Sequence, residues 1–152
     1  TDLNGRTARE LLKLIERDFI VCDSDKAIRP QQAKEFGMYL NGSWYLLNLK
    51  NEWSGKNSVS MLDVSVLNDT IIDPILGIKD SRTDQRIDFI GGSRGTQAIE
   101  EVVNSGSMAV GFTLFPTKMS ELMAVADAGL IMPPKSTWFE PKLADGLLSL
   151  VL

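Results

Sequence analysis

The dipeptide Asn41-Gly42 constrains the fold most strongly, because it separates two apolar, aromatic runs, Phe36–Leu40 and Trp44–Leu49. A two-residue type I′ turn needs a positive φ at both central positions, and Asn-Gly adopts that backbone readily. The pattern therefore predicts a β-hairpin. Three aromatic side chains are expected to form cross-strand pairs on it: Tyr39, Trp44 and Tyr45.

Helical spacing of apolar residues occurs in four other segments. The first carries a capping box, in which the Thr7 hydroxyl and the Glu10 carboxylate satisfy each other's backbone amides. Pro74 limits the second segment, because the residue before a proline leaves the α region. The predicted helices span Thr7–Arg17, Met61–Ile72, Thr96–Asn104 and Ser120 to about Asp127, with one or two further turns after Pro30.

Short apolar runs predict four strands outside the hairpin: Phe19–Cys22, Ile87–Ile90, Met108–Phe115 and a terminal strand over Leu147–Leu152. Met108–Phe115 is apolar nearly throughout and is expected to be central in the sheet. Cys22 is expected to be a small buried hydrophobic residue. The class is α+β, with a mixed sheet, one clear hairpin and about four helices packed on it, in a single domain over residues 1–152.

Composition excludes several function classes. The 152 residues contain no histidine and one cysteine, and the net charge is −4. The commonest general base, most zinc sites and an internal disulfide are therefore absent, and a duplex binder would need a denser basic surface. We see no apolar run long enough for a membrane span and no signal peptide, so a cytoplasmic protein is expected. The sequence starts at Thr1 rather than at an initiator methionine, so we expect this chain to be the C-terminal portion of a longer protein.

A glycine-rich turn is the first candidate site. Gly91, Gly92, Ser93, Arg94, Gly95 and Thr96 lie between a predicted strand and a predicted helix. Free amides at a helix N-terminus bind anions, and the Arg94 guanidinium suits phosphate. The spacing matches neither a Walker loop nor a dinucleotide-binding turn. The alternative is that the glycines serve only the geometry of the turn.

A proline-rich loop, Met132–Leu143, is the second candidate, and we expect it to face Asp88–Glu100. Its prolines exclude a regular helix or a central strand. Lys135, Ser136 and Thr137 would supply an ammonium and two hydroxyls to a phosphate or a carboxylate. Alternatively, one of the hydroxyls caps a turn while the aromatic residues that follow fill a core.

Asp80, Asp84 and Asp88 recur every four residues, but they lack the ligand spacing of a calcium loop, so no metal site is predicted. Pairing with nearby arginines in a surface loop is the favoured interpretation. Asp88, next to the glycine turn, is kept as a weak acid–base candidate for catalysis. Asp63 is expected at a helix end with no visible partner.

Three stretches carry a family resemblance: RIDFIGGSRG, FPTKMSELMAVADAGLIMPPKSTWFEPKLADGLL and LDVSVLNDTIIDPILGI. They resemble the C-terminal part of the domain-of-unknown-function family "ten-fifteen", whose members are sometimes labelled SpoOJ/ParB-like. The resemblance runs from about Thr1 to the end. The N-terminal part of that family carries an Asp-Gly-His-His-Arg-type motif, which is reminiscent of ParB/sulfiredoxin-like folds. Some of these folds bind nucleotides or phosphorylate small molecules. That motif is missing here.

These observations leave three hypotheses. The first is a structural or substrate-proximal C-terminal module of a larger protein, in which the two loops either bind phosphate or only pack against the N-terminal domain without a ligand. The second is part of a ParB-like small-molecule kinase or nucleotide-binding enzyme, and the third is a DNA-partitioning-type protein. The expected partners are the missing N-terminal portion and a phosphorylated small molecule, without nucleic acid or membrane. A nucleotide with Mg²⁺ is the cofactor expected in the intact protein, and this portion alone is not expected to be catalytic.

Overall fold

The computed structural model describes residues 2–133 and 136, and for Ser93 it describes the backbone alone. This part contains four α-helices and four β-strands, which confirms the α+β class. The elements are α1 (Ala8–Ile15), β1 (Phe19–Ser24), β2 (Glu35–Leu40), β3 (Ser43–Leu49), α2 (Asp63–Leu67), α3 (Gly95–Asn104), β4 (Val110–Leu114) and α4 (Met119–Asp127). A π-helical turn, Asn68–Ile72, continues α2, and a 3₁₀ turn, Gly92–Arg94, precedes α3.

The capping box predicted for α1 is confirmed. The Thr7 hydroxyl accepts a hydrogen bond from the Glu10 amide at 3.3 Å, and the Glu10 carboxylate accepts one from the Thr7 amide at 2.8 Å. Two amides that the helix itself leaves without partners are thereby satisfied. The bond from the Thr7 amide also lowers the pKa of Glu10. Leu11 and Ile15 form the buried face, and the helix ends earlier than predicted.

The predicted hairpin is also confirmed. Leu40 of β2 lies opposite Ser43 of β3, so Asn41 and Gly42 form the whole turn. Their φ angles are 50° and 81°, the positive values that a type I′ turn requires.

The strand order in the described sheet is β1-β3-β2-β4, and all three pairs are antiparallel. No parallel pair of a mixed sheet occurs among these strands, and the predicted terminal strand lies outside the described residues. Met108–Phe115 was predicted to be central, but among the described strands β4 is shorter than predicted and lies at an edge of the sheet. Its continuous apolar character arises because structure covers both of its faces, as it does for a central strand.

One face of the sheet packs on α1, α2 and the π-helical turn. Phe19 and Phe36 meet there edge to face, with ring centroids 5.7 Å apart. The buried residues of this core are Leu11, Ile15, Phe19, Phe36, Met38, Leu40, Leu47, Val66, Leu67, Ile71, Ile72, Ile75, Leu76 and Ile78. Tyr45 packs against the same core, so the first half of the chain supplies the main hydrophobic core.

Helix α3 packs on the opposite face of the sheet. The Tyr39 hydroxyl donates to Asn104 Oδ1 at 3.1 Å, and Trp44 Nε1 donates to Glu100 Oε1 at 2.8 Å. The Tyr39 and Trp44 rings form the predicted cross-strand pair, with centroids 5.1 Å apart. Helices therefore cover both faces of the sheet at its β2–β4 side.

The helical turns predicted after Pro30 were wrong. The Gln31 amide donates to the Glu35 carboxylate at 2.8 Å, and the Lys34 amide donates to the Asp63 carboxylate at 3.2 Å. Lys34 has a φ of 68°, which is outside the right-handed helical region. The Asp63 carboxylate thus takes the Lys34 amide, which a helix beginning at Pro30 would have used, and the segment leads directly into β2.

Two further predictions, a strand at residues 87–90 and a buried Cys22, were also wrong. Residues 87–90 form no strand, and the Phe89 amide donates to the Asp88 carboxylate beside it at 2.7 Å. Cys22 is exposed rather than buried. It belongs to the edge strand β1, and its side chain points away from the core that Phe19 enters, because alternate residues of a strand face opposite sides. Among the described helices, none is long and apolar enough to cross a membrane.

Candidate anion site

A groove of about 1380 Å³ runs along the β4 edge of the sheet. All five residues of β4 line it, with Leu67 of α2 from one layer and Ile99 of α3 from the other. Residues 87–92 contribute a further part of the lining. A mostly apolar concavity with a few polar groups is the usual form of a small-molecule site.

The glycine turn borders this groove. Gly91, Gly92, Gly95 and Thr96 all line it. The 3₁₀ turn uses the Arg94 amide, which donates to the Gly91 carbonyl at 3.0 Å. Helix α3 then begins without a side-chain cap. The amide of Gly95, its first residue, donates to the Gly92 carbonyl, so the amides after Gly95 and the positive end of the dipole are what the turn offers to a ligand oxygen.

Arg29 is the basic residue that lies against this turn. A methyl group built on Gly95 would lie 3.2 Å from Arg29 Nη2, and Gly95 has a φ of 70°. Both the close contact and the backbone conformation therefore favour glycine. Arg29 lines the groove, and it takes part in none of the four ion pairs found in the described residues. A guanidinium without a carboxylate partner beside an uncapped helix start is well suited to an anion.

Most other cations of the groove are neutralised by a carboxylate. Lys79 pairs with Asp73, Arg82 pairs with Asp80, and Arg86 pairs with Asp84, as the sequence analysis favoured for this loop. Lys118 instead lies over the Phe115 ring, with Nζ 5.6 Å from the centroid. These pairs leave Arg29 and Lys118 as the groove cations free of a carboxylate in the described part of the chain.

The predicted site residues at the glycine loop differ in whether they line the groove. Asp88 lines the groove, is exposed and accepts a bond from the Phe89 amide. Arg94 is exposed, and it does not belong to the groove lining. The side chain of Ser93 lies outside what the structure describes. The guanidinium at this turn is therefore that of Arg29, which the sequence analysis did not consider.

Only Ser136 of the predicted proline-loop site lies within the described residues; Lys135 and Thr137 lie outside them. Ser136 and Pro133 line the same groove as the glycine turn. The Ser136 hydroxyl donates to the Pro133 carbonyl at 2.6 Å, and the backbone carbonyl of Ser136 accepts from the Thr117 hydroxyl at 3.1 Å. The Ser136 hydroxyl is thus already engaged by a backbone carbonyl.

Asp63 has a partner that the sequence did not reveal. Lys34 Nζ donates to Asp63 Oδ1 at 2.8 Å, and the Lys34 amide donates to both carboxylate oxygens at 3.2 Å. The Asp63 side chain is only 8% exposed, and that of Lys34 is 25% exposed. Asp63 is also the first residue of α2, where the helix dipole favours a negative charge. This ion pair holds the turn before β2 against α2.

Two Asp-x-Arg units follow each other in the loop after α2. The Asp80 carboxylate accepts from Arg82 Nε and Nη2, each at 2.9 Å, and from the Arg82 amide at 3.0 Å. Asp84 and Arg86 repeat the arrangement. Hydrogen bonds from the Arg82 side chain, followed by its amide, lower the pKa of Asp80 from 3.8 to about 2.

We expect Arg82→Ala to return the pKa of Asp80 toward 3.8, which a carboxyl-carbon NMR titration would measure. Because the folded pKa is the lower one, the pair contributes stability above about pH 4 and loses it as the pH falls toward about 2. Arg86→Ala is the matched control, since it removes the neighbouring pair and should leave Asp80 near 2. A wild-type Asp80 that titrates near 3.8 would contradict this geometry.

No group of three or more histidine, cysteine or acidic side chains that could hold a metal ion occurs among residues 2–133 and 136. Comparison with protein-family models, curated proteins and solved structures found no match for this chain. The resemblance to the ten-fifteen family therefore stays a prediction, and the geometry of the groove carries the functional argument.

Proposed function

We propose that this chain is a substrate-proximal module of a larger cytoplasmic protein, in which the β4 groove binds a phosphorylated small molecule. The observation that carries the proposal is the Arg29 guanidinium beside Gly95 at the uncapped start of α3. The module holds the ligand, and chemistry on that ligand belongs to the remainder of the protein. The kinase and DNA-partitioning alternatives stay predictions.

The recognition combines two electrostatic elements with an apolar wall. The guanidinium fork can donate two parallel bonds to phosphate oxygens, and the amides of α3 can take another oxygen. Ile99, which packs against Gly111 of β4, lines the same groove and offers an apolar wall to the less polar part of the ligand. A nucleotide with Mg²⁺ is one ligand that offers both parts.

Thermal unfolding with and without pyrophosphate, ADP or ATP, each with Mg²⁺, tests this function. A ligand at about one hundred times its Kd adds about 2.7 kcal/mol, which raises the Tm of a chain of this size by roughly 5–10 °C. We expect Arg29→Ala to abolish the increase, because it removes the charge that meets the phosphate. Lys135→Ala tests the second predicted loop in the same assay.

Arg9→Ala provides the matched control, because Arg9 is an exposed arginine of α1 outside the groove lining. Its variant should keep the full ligand-induced increase in Tm. An equal loss in both variants would mean that the ligand senses only the net charge. No increase with any ligand in the wild type would reject phosphate binding.

An interaction module is the second candidate, and the surface around α4 favours it. Met119 and Met123 of α4 are 62% and 58% exposed, and Ile131 is 89% exposed. Met119 and Met123 lie one turn apart on α4, and adjacent exposed apolar side chains often mark a contact with another protein surface. The proposed partner is the remainder of the larger protein, and Met123→Asp should then weaken its association without changing ligand-induced stabilisation.

A further inference from the structure

We infer that Thr113 is a positioning residue for Arg29, an inference that rests on the proposed function. Thr113 is the fourth of the five residues of β4, and its hydroxyl donates to the Ile28 carbonyl at 2.9 Å. This bond fastens the segment between β1 and β2 to the strand that lines the groove. Arg29 follows directly in the chain, so its backbone starts from a fixed point.

Gly37 of β2 permits this close approach. It lies opposite Thr113 in the sheet, and a methyl group built on it would be 2.3 Å from Thr113 Oγ1 and 2.8 Å from Ile28 Cβ. Any side chain there would push the segment away from the sheet. Gly37 thus leaves room for Ile28 against the sheet, and the Thr113 hydroxyl holds Ile28 there by a hydrogen bond.

The other side of Arg29 is held as well. Gln31 Nε2 donates to the Arg29 carbonyl at 2.7 Å, and Pro30, which follows Arg29, is buried and fixes its own φ. The backbone of Arg29 is therefore restrained on both sides, although its side chain is exposed. A restrained backbone reduces the ordering needed when the guanidinium meets an anion.

Thr113→Val keeps the shape of the side chain and removes the donor. Without this restraint the Arg29 segment must be ordered when the anion binds, so the Kd for pyrophosphate should rise by roughly two- to tenfold. Thr113→Ser restores the hydroxyl and should bind within about twofold of the wild type. Isothermal titration calorimetry on the full chain measures all three constants.

Thr70→Val separates positioning from general loosening of the fold. Thr70 donates its hydroxyl to the Val66 carbonyl at 2.6 Å, so this variant removes the same kind of bond away from Arg29. It should lower Tm and leave the Kd for pyrophosphate unchanged. Rescue by Thr113→Ser, with no effect of Thr70→Val on the Kd, supports the inference.

Three outcomes would overturn the inference. A Kd for Thr113→Val within twofold of the wild type would show that the bond does not position Arg29. An equal rise for Thr70→Val would reduce the effect to a loss of stability. If Arg29→Ala itself leaves the Kd unchanged, the proposed function fails and the inference fails with it, whereas the first two outcomes leave the proposed function standing.

Discussion

Phe36→Ala is expected to lower the free energy of unfolding by about 3–5 kcal/mol, the usual range for truncating a fully buried aromatic residue. Phe36 has no exposed surface, and it lies in the central strand β2. The truncation leaves a cavity and removes the edge-to-face contact with Phe19, which contributes about 0.5–1.5 kcal/mol of its own. Because small domains are stable by only about 5–15 kcal/mol, this is a large share of the total.

Urea unfolding measures this loss, and an unchanged slope with denaturant would show that the unfolded state is unaltered. Met123→Ala removes a comparable apolar side chain from an exposed position and should change stability by less than about 0.5 kcal/mol. A loss below about 1 kcal/mol for Phe36→Ala would contradict the placement of Phe36 at the centre of the core.

Lys34→Met is expected to lower the free energy of unfolding by about 3 kcal/mol, because it leaves the buried Asp63 carboxylate without its cation. Loss of one partner from a buried pair generally costs about 3–5 kcal/mol. The lower end applies here, since the Lys34 side chain is a quarter exposed and water can reach the site. Chemical denaturation at neutral pH and constant salt would measure the change.

The double variant Lys34→Met/Asp63→Asn separates the lost charge pair from lost packing. An asparagine keeps an oxygen that accepts from the Lys34 amide, and it removes the unpaired charge. We expect the double variant to be at least about 1 kcal/mol more stable than Lys34→Met alone. A double variant as unstable as the single one would show that Asp63 does not depend on the Lys34 ammonium.

The parts of the fold that the sequence predicted depend on local chemistry. Asn41-Gly42 specifies its turn through the φ angles of two adjacent residues, and Thr7 with Glu10 specifies a helix start through one turn of chain. The helix after the glycine turn likewise follows from its own apolar spacing, and it begins within one residue of the predicted position. In each case the residues that decide the structure lie within a few positions of each other.

The incorrect predictions depend on contacts between distant parts of the chain. The segment after Pro30 is not helical, because Asp63 takes the Lys34 amide. Cys22 is exposed because its side chain in the edge strand β1 faces away from the core, and β4 is apolar because layers cover both of its faces, although it lies at an edge of the described sheet. Strand propensity could not reveal any of these neighbours.

The candidate site was predictable only in part. The glycine turn was found from its sequence, and Gly95 does lie at the start of α3 beside the groove. The sequence analysis assigned the guanidinium to Arg94, which is adjacent in the chain, whereas the tertiary fold brings Arg29 to the turn. Its position before Pro30 was the one local signal, since proline restricts the residue that precedes it.

The register of the sheet makes Cys22 a useful attachment point for a spectroscopic probe. Cys22, Leu46, Gly37 and Thr113 occupy one row across the four strands. With neighbouring strands about 4.8 Å apart, Cys22 lies roughly 14 Å from Thr113 at the groove. The chain has one cysteine, and its thiol is exposed. A nitroxide or a fluorophore on that thiol would therefore report on the groove from across the sheet, without removal of any other reactive sulfur.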